Sequence, residues 1–393
     1  RDYKVTGVQT CALPISGKSN IITIKRPKFS QAPGSELFIN FEVCLKKNLS
    51  WAKKGHLIAK EQIQLGFKQK LSVKPKSSRL EFSQNNGCFV VTGKGFSYSF
   101  SESTGAIQQI AWNQNTFLTN EAPEINLVRA PTDNDGIKIL NKNMNASIKK
   151  WYEWDLFNLT TKIKSIKISG DDKNSFVTVL KTLSSSTVPN AFQIKEVFTI
   201  NTQGELIIAM EVDVNKKITD LPRVGYIFQL KNQFDQLTWF GRGPEETYND
   251  RNYGCHVGLF HSSVKDQYIP YGMPQEHGNH NETRWLTLAD KNKIGLYIEG
   301  ATLIDCGASH FRVKDLHESK HPTDLVMRKE VNLYIDLKQK GLGTGSCGPQ
   351  TLPAYCLNEN KYYFSFKIAP MICDDKNSFK KYEEAFLNNW PIH

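Results

Sequence analysis

Residues 80–112 of the chain read LEFSQNNGCFVVTGKGFSYSFSESTGAIQQIAW, and this stretch decides the fold class. Asn85-Asn86-Gly87 is a hairpin turn signal between two strand-like runs. The aromatic residues of 96–101 alternate with serines, which puts the three rings on one face of a strand. Ser103-Thr104-Gly105 predicts a second turn, after which 107–112 runs back. We therefore predict antiparallel strands that are joined by tight turns and share one apolar face.

Sequence patterns typical of β-strands continue through most of the remaining chain. Further runs occur at 176–180, 192–200, 206–214, 225–230, 294–299, 331–337 and 362–368. Roughly a dozen short strands without intervening helices predict an all-β protein with a large antiparallel sandwich. Only the tail is helix-like, since Phe379, Tyr382 and Phe386 recur at helical spacing behind Ser378. We predict a short amphipathic helix there, with Ser378 as its N-cap.

The composition is that of a soluble globular protein with room for two or three domains. Of 393 residues, 39% are hydrophobic and 23% are charged. No run approaches the ~20 apolar residues of a membrane-spanning helix. The formal net charge is +11, yet Lys162, Lys164 and Lys167 alternate with isoleucines rather than aromatic residues. We interpret these lysines as part of a solvated surface and expect no membrane partner and no nucleic acid partner. Nucleic-acid binding is the alternative interpretation of the positive charge.

The cysteines form no C-x-x-C pair and have no repeated spacing. A disulfide framework or a zinc site would look more regular. We predict buried free thiols at positions 44, 88, 255, 306, 347, 356 and 373. They do not reveal the compartment, and we favour the cytoplasm over the periplasm or secretion.

The beginning of the chain differs from the rest in composition. Residues 5–15 look like the in-frame translation of a sequencing adapter, so we interpret 1–16 as an artefact rather than a native segment. The runs at 36–43 and 55–65 predict strands that cannot close a sandwich alone and leave an apolar face bare. Residues 72–79 have the composition of a linker.

The first segment whose residues could bind a ligand is 129–136, R-A-P-T-D-N-D-G. Asp133 and Asp135 could bind a cation or sugar hydroxyls through their carboxylate oxygens. They could equally form Asx turns that hold a loop between strands. Because the further ligands of a calcium loop are absent from the segment, we favour the structural role.

The second segment is 239–251, which combines glycines with charged residues. Its glycines superficially resemble a phosphate loop, but Pro244 and the strand context argue against the helix that such a loop requires. We instead predict a tight bend cross-linked by ion pairs among its own charged side chains, which are Arg242, Glu245, Asp250 and Arg251.

The third segment, 270–285, contains Glu276, His277 and His280. These could be metal ligands, although H-x-x-H in a loop lacks the helical spacing of zinc hydrolases. A hydrogen-bonded polar loop is our default interpretation, and a sugar-contacting loop beside Trp285 is the alternative.

The fourth segment, 341–350, contains four glycines around Cys347. With no histidine nearby in sequence to activate the thiol, it predicts a defined loop rather than a nucleophile.

These segments resemble, in the same order, the signatures of the C-terminal domain of family 2 β-galactosidases. Residues 129–135 resemble the family's R-A-P-x-D-N-D, and 241–251 are similar to its G-x-G-P-x-E-x-Y-x-D-R. Residues 274–285 resemble its P-x-E-x-G loop ending in arginine, and the loop around Cys347 resembles its last signature. Upstream, 51–59 resemble W-x-x-x-G-H-x-x-A.

The resemblance implies a domain order and an activity. Residues 17–76 would be part of an immunoglobulin-like sandwich, 80–370 a galactose-mutarotase-like β-supersandwich, and 371–393 an extension with the helix. Members of the family hydrolyse terminal non-reducing β-D-galactosides with retention, through two glutamates on a TIM barrel. The family's barrel precedes the first strand here, so we assign no catalytic and no metal-binding residue. We expect a divalent cation, such as magnesium, to be held by the missing barrel. We also expect the protein to form a homo-oligomer.

One functional position carries over from the family. The glycine-rich loop closes over the sugar-site mouth, and some members have a tryptophan where this chain has Cys347. We therefore expect Cys347 and Ser346 to face the β-galactoside in a roomier entry site. A stand-alone carbohydrate-binding module is the main alternative. An aldose epimerase is a further one, for which Glu276 and His277 are the only tempting pair, although adjacent residues on a strand point opposite ways.

Overall fold

The computed structural model describes residues 30–71, 78–137 and 146–384, together with 19, 21 and 23. The interpretation of 1–16 as an artefact falls on residues outside this part, as do 72–77 of the predicted linker and Phe386 of the predicted helix. The described chain forms three antiparallel sheets, so the all-β prediction is confirmed.

The three sheets differ in size and use strands from successive parts of the chain. A first sheet pairs β1 (Glu36–Cys44) with β2 (Leu57–Phe67). A small sheet contains β3 (Glu81–Asn85), β4 (Cys88–Gly93), β5 (Phe96–Ser101), β6 (Ile107–Trp112) and β7 (Asn115–Thr116). A large sheet contains β8 (Glu124–Asn126), β9 (Thr160–Gly170), β10 (Asn174–Ser184), β11 (Phe192–Asn201), β12 (Leu206–Val214), β13 (Arg223–Leu230), β14 (Gln236–Gly243), β15 (His256–Ser263), β16 (His280–Ala289), β17 (Ile294–Ser309), β18 (Val331–Gln339) and β19 (Lys361–Ile372). The α-helices of the described residues are α1 (Ser147–Glu153), α2 (Val313–Glu318) and α3 (Asp375–Glu383).

The predicted hairpin at the start of the small sheet is confirmed. Asn86 and Gly87 have φ values of 48° and 72°, which are the left-handed angles that a two-residue hairpin turn requires. Asn85 pairs with Cys88 across that turn. The alternation of 96–101 is confirmed as well, since its three aromatic residues are buried and its serines are only partly so.

The small sheet packs its aromatic face against the large sheet. The Phe100 and Phe198 rings lie 5.5 Å apart between centroids, and Tyr98 donates a hydrogen bond to Gly204 O at 2.7 Å. A Cβ on Gly204 would lie 2.7 Å from the Phe96 ring, and its φ is +78°, so the site accepts only glycine without strain. Both sheets thus contribute to one continuous core, the predicted supersandwich.

The lysine-rich strand β9 forms an edge of the large sheet. Lys162, Lys164 and Lys167 are exposed there while the isoleucines between them are partly buried. This agrees with a solvated surface, and charged side chains of this kind protect an open strand edge from pairing with another chain.

The first sheet is attached to the large sheet through polar contacts. Gln62 of β2 accepts a hydrogen bond from Val257 N at 2.8 Å and donates one to Val257 O at 2.9 Å. Glu36 of β1 forms an ion pair with Arg284 of β16 at 2.8 Å. As expected, apolar side chains of the two strands remain exposed, and these are Val43, Leu57, Ile58, Ile63, Leu65 and Phe67.

The prediction that no helices intervene between the strands is wrong. α1 and α2 are only seven and six residues long, too short for a periodic apolar pattern to be visible in sequence. α1 is fixed by Trp151, a buried side chain that donates to Asp220 O at 3.0 Å. The tail helix is confirmed as α3, but its N-cap is Asp374, which accepts from Asn377 N at 2.7 Å. Ser378 is buried inside the helix instead.

Candidate functional site

The glycine-rich segment 341–350 comes directly after β18 and is held at its root by Asp250. The Asp250 carboxylate accepts hydrogen bonds from Leu342 N at 2.8 Å and from Gly343 N at 2.7 Å. Gly341 N donates to Tyr355 O at 2.9 Å. Gly343 has a φ of +64°, so the chain reverses at a position that favours glycine. The root is therefore fixed by the protein rather than free in solution.

Asn134 holds the tip of the same segment, residues 344–350. Its amide nitrogen donates to Gly343 O at 2.9 Å. Its amide oxygen accepts from Ser346 N at 3.2 Å and from Ser346 Oγ at 2.8 Å. A Cβ on Gly345 would lie 2.5 Å from Asn134 O, so glycine permits this close approach. Ser346 and Cys347, the two predicted sugar-facing residues, are both exposed at the tip.

The 129–136 segment has the favoured structural role. Arg129 is fully buried and binds both carboxylate oxygens of Asp135, at 2.7 and 3.1 Å. Asp135 also accepts from Thr132 N at 2.9 Å. Asp133 accepts from the side-chain amide of Gln275 at 3.3 Å. Both oxygens of Asp135 and one oxygen of Asp133 therefore have protein donors, which favours the structural role over a cation site.

The predicted cross-links within 239–251 are wrong in their partners. Arg242 pairs with Glu282 at 3.0 Å, and Arg251 pairs with Glu246. Asp250 accepts from the two amides of the glycine-rich segment. Arg251 finds its partner inside the segment, whereas the partners of Arg242 and Asp250 lie in other segments, which spacing along the sequence does not show.

The three candidate metal ligands of 270–285 bind protein atoms. Glu276 accepts from Arg223 at 2.5 Å, and His277 Nδ1 lies 3.1 Å from Gln275 O. His280 Nε2 lies 2.6 Å from Gln267 Oε1, and burial lowers the pKa of His280 to about 3. Across the described residues, no group of three or more His, Cys, Asp or Glu side chains is placed to hold a metal ion.

Two further expectations for this segment need correction. Glu276 and His277 lie in the loop before β16, not on a strand, and both are buried against protein partners. Trp285 is fully buried and stacks on Tyr297 at 5.9 Å between centroids. Its ring is therefore part of the core, and the alternative of a sugar-contacting surface beside it is wrong.

Sequence reasoning missed a buried ionic cluster next to the loop root. Arg223 of β13 binds both Glu276 and, at 2.9 Å, Asp336 of β18. Burial raises the pKa of Asp336 to about 8 and that of nearby Asp305 to about 7, although Arg223 lowers both. A signal did exist, since Arg223 and Asp336 lie in otherwise apolar strands, where charged residues need a partner.

The prediction of buried thiols is wrong for most of the cysteines. Cys306 is buried, and burial raises its pKa to about 12. Cys44 and Cys347 are exposed, and the remaining described cysteines are partly exposed. All of them are free. A cysteine in strand-like text faces either side of the sheet, and the spacing alone did not reveal which.

The fold and this site define an all-β sandwich protein with an exposed glycine-rich loop held by the partly buried side chains of Asn134 and Asp250. The family model described as beta galactosidase small chain matches residues 92–368. The model described as beta-galactosidase, domain 4, matches residues 2–66. The chain belongs to the beta galactosidase small chain family, and the predicted family resemblance is confirmed.

Similar curated proteins bear the same name. A beta-galactosidase of Priestia megaterium is 29% identical over 89% of this chain and 33% of its own length. One of Psychromonas ingrahamii is 27% identical over 89% of this chain and 34% of its own length. The chain thus spans about a third of the length of these relatives. Among solved structures, a galactose 1-epimerase of Lactobacillus acidophilus overlaps 75% of this chain and 98% of its own, with TM-score 0.40 and 6% identity.

No helix within the described ranges is long and apolar enough to cross a membrane.

Proposed function

We propose that this chain is the C-terminal portion of a retaining β-galactosidase that hydrolyses terminal non-reducing β-D-galactosides in its full-length form. The observation that carries the proposal is the alignment of 89% of this chain with only 33% of a beta-galactosidase. The chain would pack on a catalytic barrel of the same protein. Segment 341–350 would line the mouth of the sugar site, with Ser346 and Cys347 facing the substrate.

The chain alone is proposed to be inactive. Retaining glycosidases need two carboxyl groups ~5 Å apart with access for a sugar. The carboxyl groups of Glu276 and Asp336 share Arg223 and are buried, so a sugar cannot reach them. The magnesium ion and the homo-oligomer expected of the family are likewise proposed for the whole protein. The candidate ligands of this chain are engaged with protein partners and do not fit a metal.

The stand-alone carbohydrate-binding module is a weaker proposal. Its surface would have to bind galactose without a barrel, whereas the matched relatives are named beta-galactosidases. Isothermal titration calorimetry of the chain with galactose separates the two proposals. A carbohydrate-binding module would release or absorb heat on binding galactose, whereas a domain that only packs on the catalytic barrel would give little heat. The epimerase proposal fails on geometry, since Glu276 and His277 face protein partners instead of a cleft.

Activity should appear only when a barrel is supplied. We expect no turnover of o-nitrophenyl β-galactoside by the purified chain. A chimera that joins the first two thirds of the Priestia megaterium relative to residues 17–393 should hydrolyse it, because the fold supplies the matching C-terminal domain. The control is the same barrel segment without this chain, expected to be inactive. Galactoside turnover by the chain alone would overturn the proposal.

Cys347→Trp should change the leaving-group preference of that chimera. A tryptophan at the exposed tip adds an aromatic face, and stacking of that kind is worth ~0.5–1.5 kcal/mol, or about 2- to 10-fold in KM. The KM for a substrate with an aryl leaving group should fall by that factor, measured by steady-state kinetics. Cys44→Trp, at another exposed cysteine, is the matched control. If neither affinity nor preference moves, Cys347 does not face the substrate.

A further inference from the structure

Two side chains from separate motifs grip the glycine-rich segment at two points. Asp250 holds its root and Asn134 holds its tip. We propose that Asn134 and Asp250 are positioning residues, which set where Ser346 and Cys347 lie and thereby tune recognition of the leaving-group side of the galactoside. The consequence for recognition rests on the proposed function, whereas the positioning of the loop does not.

Asp250 is itself held in place. Tyr248 and Arg251 form a reciprocal backbone pair, with hydrogen bonds of 3.2 and 2.8 Å, that closes a tight turn around it. The neighbouring Asn249 donates to Gln339 O, the last residue of β18, at 2.9 Å. The Asp250 carboxylate then meets two successive amides just beyond the strand end. Hydrogen bonds to a charged acceptor are the stronger kind, so this grip fixes the direction in which the loop leaves the sheet.

Asn134 is braced on both sides. Asp133 N donates to Gln275 Oε1 at 3.0 Å, and Asp135 is bound by the buried Arg129. The side-chain amide between them uses its nitrogen on Gly343 O and its oxygen on Ser346, so both ends are engaged. An amide held in this way recognises backbone geometry at two points, and only an asparagine-sized amide offers both a donor and an acceptor there.

The tip is otherwise a self-contained turn. Thr344 O accepts from Cys347 N at 3.1 Å and from Gly348 N at 2.6 Å, and Thr344 Oγ1 donates to Pro349 O at 3.1 Å. Among the described residues, the hydrogen bonds that leave the tip for another segment end on Asn134. Loss of its amide should therefore release the turn as one unit while the sandwich stays folded.

The test is hydrogen exchange of the 393-residue chain, read by mass spectrometry on peptides covering 341–350. Asn134→Asp keeps the acceptor for Ser346 but replaces the donor to Gly343 O with a carboxylate oxygen. We expect Asn134→Ala to raise exchange in this peptide about tenfold, and Asn134→Asp to raise it less because the acceptor for Ser346 remains. Asp250→Asn should raise it at 342–343. Exchange in the core strands β13 and β18 should not change. A general loss of stability would raise exchange in these strands as well.

Asn215→Ala is the matched control, because Asn215 accepts from Lys217 N at 3.1 Å and anchors a different loop. It should leave the exchange of 341–350 unchanged. Unchanged exchange of this peptide in Asn134→Ala would overturn the inference, as would an equal rise throughout the chain.

Steady-state kinetics of the active chimera provide the second measurement. Asn134→Ala should raise KM by about threefold or more and leave kcat within about twofold, since the loop contacts the substrate without taking part in bond cleavage. An altered loop with an unaltered KM would refute the role in recognition. A wild-type chimera without activity would instead refute the proposed function, while the exchange result on the chain alone would still decide the positioning.

Discussion

Replacing Arg223 with methionine is expected to destabilise the chain strongly at pH 8 and much less at pH 5.5. Arg223 is fully buried and neutralises the carboxyl groups of Glu276 and Asp336. Removing one partner of a buried ion pair costs ~3–5 kcal/mol, because the other partner keeps its charge without compensation. At low pH the carboxyl groups of Asp336 and nearby Asp305, whose pKa values are raised by burial, are protonated, so the penalty shrinks.

The sign of the pH effect depends on the raised pKa values of Asp305 and Asp336, about 7 and about 8. A carboxyl group whose folded pKa exceeds its unfolded value contributes stability below the unfolded pKa, near 4, and loses it as pH rises through the folded pKa. Arg223 lowers both folded pKa values. Without it they rise further, so the stability of the variant should fall more steeply between pH 5.5 and 8.

Urea unfolding followed by tryptophan fluorescence at both pH values measures this difference. Arg79→Met is the control, since Arg79 is exposed and lies 3.6 Å from Asp172, which is also exposed. Exposed pairs of that kind contribute little. An equal loss of stability at pH 5.5 and 8 in Arg223→Met would mean that packing, and not the uncompensated carboxyl groups, causes the effect.

The strands could be predicted from sequence because their pattern is local. Alternation in 96–101 and the Asn86-Gly87 turn depend on residues within a few positions of one another, and both are confirmed. The helices α1 and α2 could not be predicted, because each is stabilised by contacts with distant segments. Trp151 of α1, for example, donates to Asp220 across 69 positions of sequence.

The candidate site was predictable as segments and not as contacts. The segments around Asn134, Asp250 and Cys347 are visible in sequence as unusual combinations of glycine and charge. Their meeting depends on β18, which delivers the glycine-rich segment to the two side chains from more than 90 positions away. Pairing of distant strands sets such contacts, and a single sequence does not encode them in any local spacing.

Replacing Glu36 with leucine is expected to loosen the first sheet from the large sheet. The Glu36 carboxylate accepts from Arg284 at 2.8–3.1 Å and from Tyr382 OH at 2.7 Å, which joins β1, β16 and α3 at one point. Both charged side chains are only 4% exposed. Glu36→Leu would leave Arg284 buried without an anion, at a cost of ~3–5 kcal/mol. Thermal unfolding and faster proteolysis of β1 and β2 would report the loss.

The double variant Glu36→Leu/Arg284→Met separates the two possible origins of that loss. If the unpaired charge is the cause, removing both charges should restore much of the stability, because apolar side chains then fill the same space. If the hydrogen bonds themselves hold the junction, the double variant should be less stable than either single variant, Glu36→Leu or Arg284→Met. The exposed pair of Lys314 with Glu318, at 3.8 Å, provides the control. Its replacement by Met and Leu should cost at most about 1 kcal/mol, since water screens and solvates both charges.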